Sequence, residues 1–265
     1  MNLHRRGGLS LGRILGIPVR VHWTWLLVLA LVAASLAFGY FPLYQRAVAP
    51  SSYLFLGGIT AALFCASLLV HELAHAVVAR REEIPVRGIT LWAFGGVAEL
   101  ADQPRSAGAE FRMAVVGPLT SLALAWLFSV LAGGATSPYF ALPLLWLART
   151  NLVLGLFNLV PAFPLDGGRV FRSALWALMG DLPRATRVAA GVGKVVSWGL
   201  VGVGLLSFLR GGAFNGLWLV LVASFIRNAA AGELAYVERA EREAALRRAA
   251  LLSPVSLSPA PTGEW

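Results

Sequence analysis

The residues most plainly able to do chemistry are His71-Glu72-Leu73-Ala74-His75. On an α-helix residues four apart share a face, so two imidazoles at this spacing can close on one metal ion while the glutamate sits beside them. That is the arrangement of zinc hydrolases. A catalytic zinc takes three protein ligands and leaves one position open, so a third ligand must come from another part of the chain. Cys65 is the only cysteine, which excludes an intrachain disulfide and a cysteine-rich metal site. Of the three aspartates, Asp102 and Asp181 fall in segments of surface character, whereas Asp166 is embedded in Pro161-Ala162-Phe163-Pro164-Leu165-Asp166-Gly167-Gly168. Two prolines and two glycines cannot continue a helix, and irregular backbone at membrane depth belongs where protein or a polar cavity covers it. Asp166 is therefore the candidate third ligand; the alternative is a turn or helix cap.

The elements that must position these residues are membrane spans. The chain is 58% hydrophobic and 13% charged, with a mean hydropathy of +0.72. Several apolar runs approach the length that crosses a bilayer, so the expected fold class is an all-α polytopic membrane protein with about six transmembrane helices. The runs lie at about Trp23 to Tyr40, Tyr53 to Ala79, Phe111 to Ala132, Pro143 to Asn158, Gly191 to Leu209 and Ala213 to Ile226. The first is too long for a signal-peptide core and reads as a retained span. Gly57, Ala61 and Cys65 form a small-residue stripe suited to close helix approach, as do Gly193 and Ser197. Gly12 to Val21 has the look of an interfacial strand. Ile84 to Arg105 reads as a small membrane-associated β-hairpin between the second and third spans, with Gly95-Gly96 at its turn; the alternative is a plain re-entrant connector. Val170 to Met179 reads as an amphipathic interfacial helix. The expected division is a membrane domain over 1–230, with a catalytic core of about 53–168, followed over 231–265 by a cytoplasmic amphipathic helix and a disordered tail.

A net charge of +9 could signal nucleic acid, but the basic residues border apolar runs, which is where topology rules place them. On the six-span reading every Lys and Arg except Arg46, Arg149 and Arg210 falls in segments on one side. This predicts a cell-membrane protein with both termini cytoplasmic and no nucleic-acid partner. His71, His75 and Asp166 then share the cytoplasmic half. Counting back from Arg80 at about 1.5 Å per residue puts the histidines roughly 8 to 14 Å inside that face.

His71-Glu72-x-x-His75, the Phe94-Gly-Gly-Val-Ala segment, Gly117-Pro118 and Asn158-x-x-Pro161-x-x-Pro164-Leu-Asp166-Gly167 together resemble the site-2 protease family of intramembrane zinc metalloproteases, in order over most of residues 10 to 230. The resemblance implies one Zn2+ held by His71, His75 and Asp166, Glu72 as catalytic base, and Asn158 as a polar residue at the substrate or oxyanion. It also implies a core made of the second to fourth spans. The implied partners are the lipid bilayer and membrane-anchored protein substrates such as anti-sigma factors or transcription-factor precursors. The connections between motifs are too short for a PDZ domain, and the stretch after Ile226 is too short for the paired CBS domains of some relatives. The segment around Gly95 and Gly96 is the expected holder of an unwound substrate strand. A metal transporter predicts inverted repeats, which are not found, and gives no reason for a glutamate between two ligands. A non-catalytic membrane scaffold has no need of all four residues.

Overall fold

A computed structural model describes residues 8–44, 49–93 and 95–252. Arg5, Arg6, Arg46, Phe94 and the Ser/Pro-rich stretch from Ser253 lie outside the described residues. Among the described residues, six helices are long and apolar enough to cross a membrane. The first span runs from Trp23 to Tyr44 as α1 (Trp23–Ser35), a π turn (Leu36–Tyr40) and α2 (Phe41–Tyr44). The others are α3 (Pro50–Arg81), α4 (Ala107–Gly133), α5 (Pro138–Asn158), α7 (Leu182–Leu209) and α8 (Ala213–Leu252), with the shorter α6 (Asp166–Met179) between α5 and α7.

The helix starts are written locally. Pro50 opens α3 at a position where its missing N–H costs nothing. The Ser106 hydroxyl accepts the Ala109 N–H at 3.2 Å to cap α4, Ser137 caps α5, and the Asp181 carboxylate caps α7 from Arg184 N–H at 2.9 Å. Gly180, at φ 68°, closes α6 in the left-handed conformation that a helix end favours.

The expected hairpin is half of a four-stranded sheet, β1 (Gly8–Ile14), β2 (Ile17–His22), β3 (Val86–Trp92) and β4 (Gly95–Leu100), in spatial order β1-β2-β3-β4. The single strand read over Gly12 to Val21 is a hairpin instead. It folds back at Leu15 and Gly16, whose φ values of 52° and 77° fit a tight two-residue turn. β2 then pairs in parallel with β3, Val19 opposite Ile89 and Val21 opposite Leu91. An isolated hairpin is marginal, and this pairing joins the two into one sheet whose buried positions lie on β2 and β3 while β1 stays exposed. Ile17, Val21, Ile89 and Leu91 pack there against Trp25 of α1 and Leu68 and Ala76 of α3. At the sheet's near end the Arg80 guanidinium donates to Leu15 O at 2.6 Å.

Elsewhere the helices touch through small residues and leave their large apolar side chains outward, as lipid requires. A Cβ on Gly57 would stand 2.6 Å from Ala33 O of α1, and one on Gly216 2.5 Å from Gly204 O across the α7–α8 hairpin. Ser197 Oγ donates to Ala223 O at 2.7 Å. Phe38, Trp126, Val195 and Leu209 are exposed.

Other sequence expectations change too: Gly95 and Gly96 do not form the hairpin's turn but pair within β4, opposite Trp92 and Leu91. The sixth span and the charged helix after it are one uninterrupted element, α8. And α6 does not simply lie on a surface, because Arg172 is buried. Its guanidinium bonds Glu110 of α4 through Nε, at 2.9 Å, and through Nη2, and reaches Glu233 Oε2 of α8 at 3.2 Å. One side chain ties three helices.

Candidate active site

His71 and His75 project from the last turns of α3 toward α4, where Met113, Gly117 and Ser121 recur every fourth residue along one stripe. Each member of that stripe has a task. Met113 O lies 2.6 Å from His75 Nδ1, and Ser121 Oγ lies 2.8 Å from His71 Nδ1. Gly117 provides the space between them, since a Cβ there would meet His75 Nε2 at 2.1 Å and His71 Nε2 at 2.7 Å. A carbonyl can only accept, so His75 Nδ1 carries the proton and its Nε2 presents a lone pair. The Ser121 hydroxyl can accept from His71 in the same way.

Asp166 arrives from the break between α5 and α6. Gly167 and Gly168 let that break fold onto itself: a Cβ on Gly167 would stand 2.3 Å from Leu159 O, and one on Gly168 2.7 Å from the Ala162 carbonyl carbon. The first turn of α6 thereby brings the Asp166 carboxylate to the two rings. Asp166 Oδ2 lies 3.2 Å from each histidine Nε2, and the two Nε2 atoms are 3.2 Å apart.

These three donors fit a zinc ion. Ligands at about 2.0–2.1 Å from a tetrahedral metal stand about 3.3 Å from one another, close to the observed triangle. The chemistry agrees, because lone pairs of two rings and a carboxylate converge on one point and repel unless a cation lies among them. His71, His75 and Asp166 are also the one cluster of His, Cys, Asp or Glu side chains, among the described residues, grouped tightly enough to hold a metal.

A cavity of about 360 Å³ opens on this triangle. Glu72 lines it from α3, Asn158 from the end of α5, Arg169 from α6, and Gly95 and Gly96 from β4. Thus His71, Glu72, His75, Asn158, Asp166, Gly95 and Gly96 all line one space. Gly96 packs directly on Glu72: a Cβ there would stand 2.2 Å from Glu72 Cγ and 2.8 Å from Oε1. Asn158 Nδ2 donates to Leu154 O at 3.0 Å. Trp92, Leu154 and Phe225 give the rest of the wall an apolar character.

Sequence reasoning missed Ser121, Met113 and Arg169. Gly117, singled out in the sequence only as part of the Gly117-Pro118 motif, serves as the seat of the two imidazoles. The fourfold spacing from Gly117 was the available signal for Ser121. No local signal marks Met113, whose contribution is a backbone carbonyl.

The model of Peptidase family M50 matches residues 59–138 and 133–200. Rip3 of Mycobacterium tuberculosis, named as a zinc metalloprotease, is 46% identical over 235 residues, covering 86% of this chain and 59% of that protein. A zinc metalloprotease of Methanocaldococcus jannaschii is 31% identical over 231 residues, covering 87% of this chain and 61% of its own length. The chain therefore spans about three fifths of these curated relatives. Among solved structures, the site-2 protease from Methanocaldococcus jannaschii superposes with a TM-score of 0.56 at 28% identity, covering 86% of this chain and 95% of that one.

Proposed function

This chain belongs to peptidase family M50, and from that membership we propose that it is an intramembrane zinc metalloprotease of the site-2 type. The observation that carries the reading is the triangle of His71, His75 and Asp166 donor atoms, 3.2 Å on each side, in one cavity with Glu72. When bound there, zinc supplies Lewis acidity, lowering the pKa of a water toward about 7 and polarising a carbonyl.

The chain's own residues do the rest. Glu72 is positioned to take a proton from a water in the cavity and return it to the leaving amine. Asn158 has a second amide N–H to offer a carbonyl oxygen whose negative charge grows during attack. Ser121 and Met113 hold the imidazoles in the tautomer that leaves Nε2 free to ligate. A substrate helix hides its carbonyls in its own hydrogen bonds, so it must unwind before it can be cut. β4 ends the sheet order, and the edge it does not share with β3 can receive the unwound stretch as an added strand.

The substrates are proposed to be membrane-anchored regulatory proteins, such as anti-sigma factors or transcription-factor precursors. The Arg80-Arg81 end of α3 is proposed to face the cytoplasm together with both termini. The test compares zinc content and cleavage of a membrane-embedded model substrate for wild type, Glu72→Gln and Asp166→Ala. Glu72→Gln is expected to keep zinc and lose cleavage, and Asp166→Ala to lose zinc. Wild-type protein that takes up no zinc at neutral pH defeats the reading.

A further inference from the structure

A second cavity, of about 490 Å³, adjoins the catalytic one. The two share Ala98, Leu100, Pro164 and Arg169 on their walls. Strand β4 runs along both, from Gly96 against Glu72 to Leu100, and Ala101 N–H then donates to Pro85 O at 2.8 Å, near the Arg80-Arg81 end of α3. The lining changes character on the way. Beside the metal triangle it includes Leu68, Leu154 and Phe225, whereas the second cavity is walled by Asp102, Gln103, Arg172, Glu233 and Tyr236.

Arg169 stands at the junction with donors to spare. Its ion pair with Glu233 Oε1 is long, 3.9 Å, and the other oxygen of Glu233 serves Arg172 at 3.2 Å. Arg172 is in turn committed to buried Glu110. A guanidinium carries five N–H donors in a planar fork, suited to carbonyl oxygens that turn away from β4 when a strand is added to it.

Resting on the protease reading above, we propose that the second cavity is a substrate subsite. It takes the polar segment that follows the membrane-embedded stretch of the substrate, and Arg169 binds backbone carbonyls of the unwound chain where the two cavities meet. Strands advance about 3.3 Å per residue, so Gly96 and Leu100 lie about 13 Å apart. A substrate strand that adds in parallel to β4, as the subsite requires, keeps that spacing. The residue beside Leu100 is then four positions from the one beside Gly96, and positions four to six past the cut enter the second cavity. This chain thus selects polar residues there, in addition to unwinding at the cut itself.

Two measurements test this. In a Cys65→Ser, Glu72→Gln background, Tyr236→Cys is paired with single cysteines placed at positions one to eight past the cut of a vesicle-embedded model substrate. Disulfide formation is expected to peak at positions four to six; a flat profile or a peak elsewhere overturns the subsite. In otherwise wild-type protein, Arg169→Gln is expected to raise KM about tenfold with kcat within about twofold and zinc content unchanged, and Arg169→Lys to recover part of the loss. Leucine at positions four to six of the substrate is expected to raise KM similarly. Unchanged KM in both cases overturns the role of Arg169 and the polar preference. If wild type holds zinc and cuts nothing while the Tyr236→Cys protein still gives the peaked disulfide profile, the protease reading fails while the peptide subsite stands.

Discussion

A Cβ on Gly117 would stand 2.1 Å from His75 Nε2, and a Cβ on Gly96 would stand 2.2 Å from Glu72 Cγ. The same one-methyl change at these two positions should therefore separate metal binding from proton transfer. Gly117→Ala is expected to abolish stoichiometric zinc, measured by metal analysis of purified protein. Helix propensity alone favours alanine by about 1 kcal/mol, so the loss would be steric. Gly96→Ala is expected to keep zinc and lower kcat about a hundredfold, because a displaced base forfeits most of its contribution. Ser121→Ala leaves His71 Nδ1 without its partner at 2.8 Å, and competition with a chelator should show zinc affinity weakened by about 10- to 100-fold.

Among the elements, α6 is the keystone of the buried charges. Glu110 is 1% exposed, and its Oε2 has no hydrogen-bond partner, so its charge depends on the Arg172 guanidinium. Arg172→Met strands that carboxylate and is expected to cost about 3–5 kcal/mol in unfolding measured in detergent micelles. Glu233→Gln, at the partly exposed end of the network, should cost much less. None of this was readable in the sequence, because Glu110 and Glu233 lie 62 and 61 residues from Arg172 and charge spacing alone does not say which faces meet. The metal triangle was readable for the opposite reason. His71 and His75 are four apart on one helix, and the Pro/Gly break announces itself at Asp166. The parallel pairing of β2 with β3 left no trace in either strand, since alternation sets which face is buried but not which distant strand is the neighbour. The continuation of α8 through Ala231 to Leu252 was within reach: that stretch is rich in Ala, Glu, Arg and Leu, all good helix formers.

For the molecule as a whole, the proposed orientation uses six spans to return the chain to the cytoplasmic side. In a Cys65→Ser background, a cysteine replacing Gly211, between α7 and α8, should react with an impermeant thiol reagent added outside intact cells. One replacing Gly180, between α6 and α7, should react only after the membrane is opened. The reverse pattern would invert the proposed orientation and place the metal triangle at the outer face. The triangle also sets a clock on biosynthesis. Asp166 lies 91 residues after His75, and a ribosome adding about 5–20 residues per second needs about 5 to 18 s to bridge them. Through that interval the chain holds Glu72 and two imidazoles but lacks the third donor of the triangle. On the proposed function, the newly made protein is inert while its first spans leave the insertion machinery beside other nascent helices, and the metal site is complete only once four spans are in place.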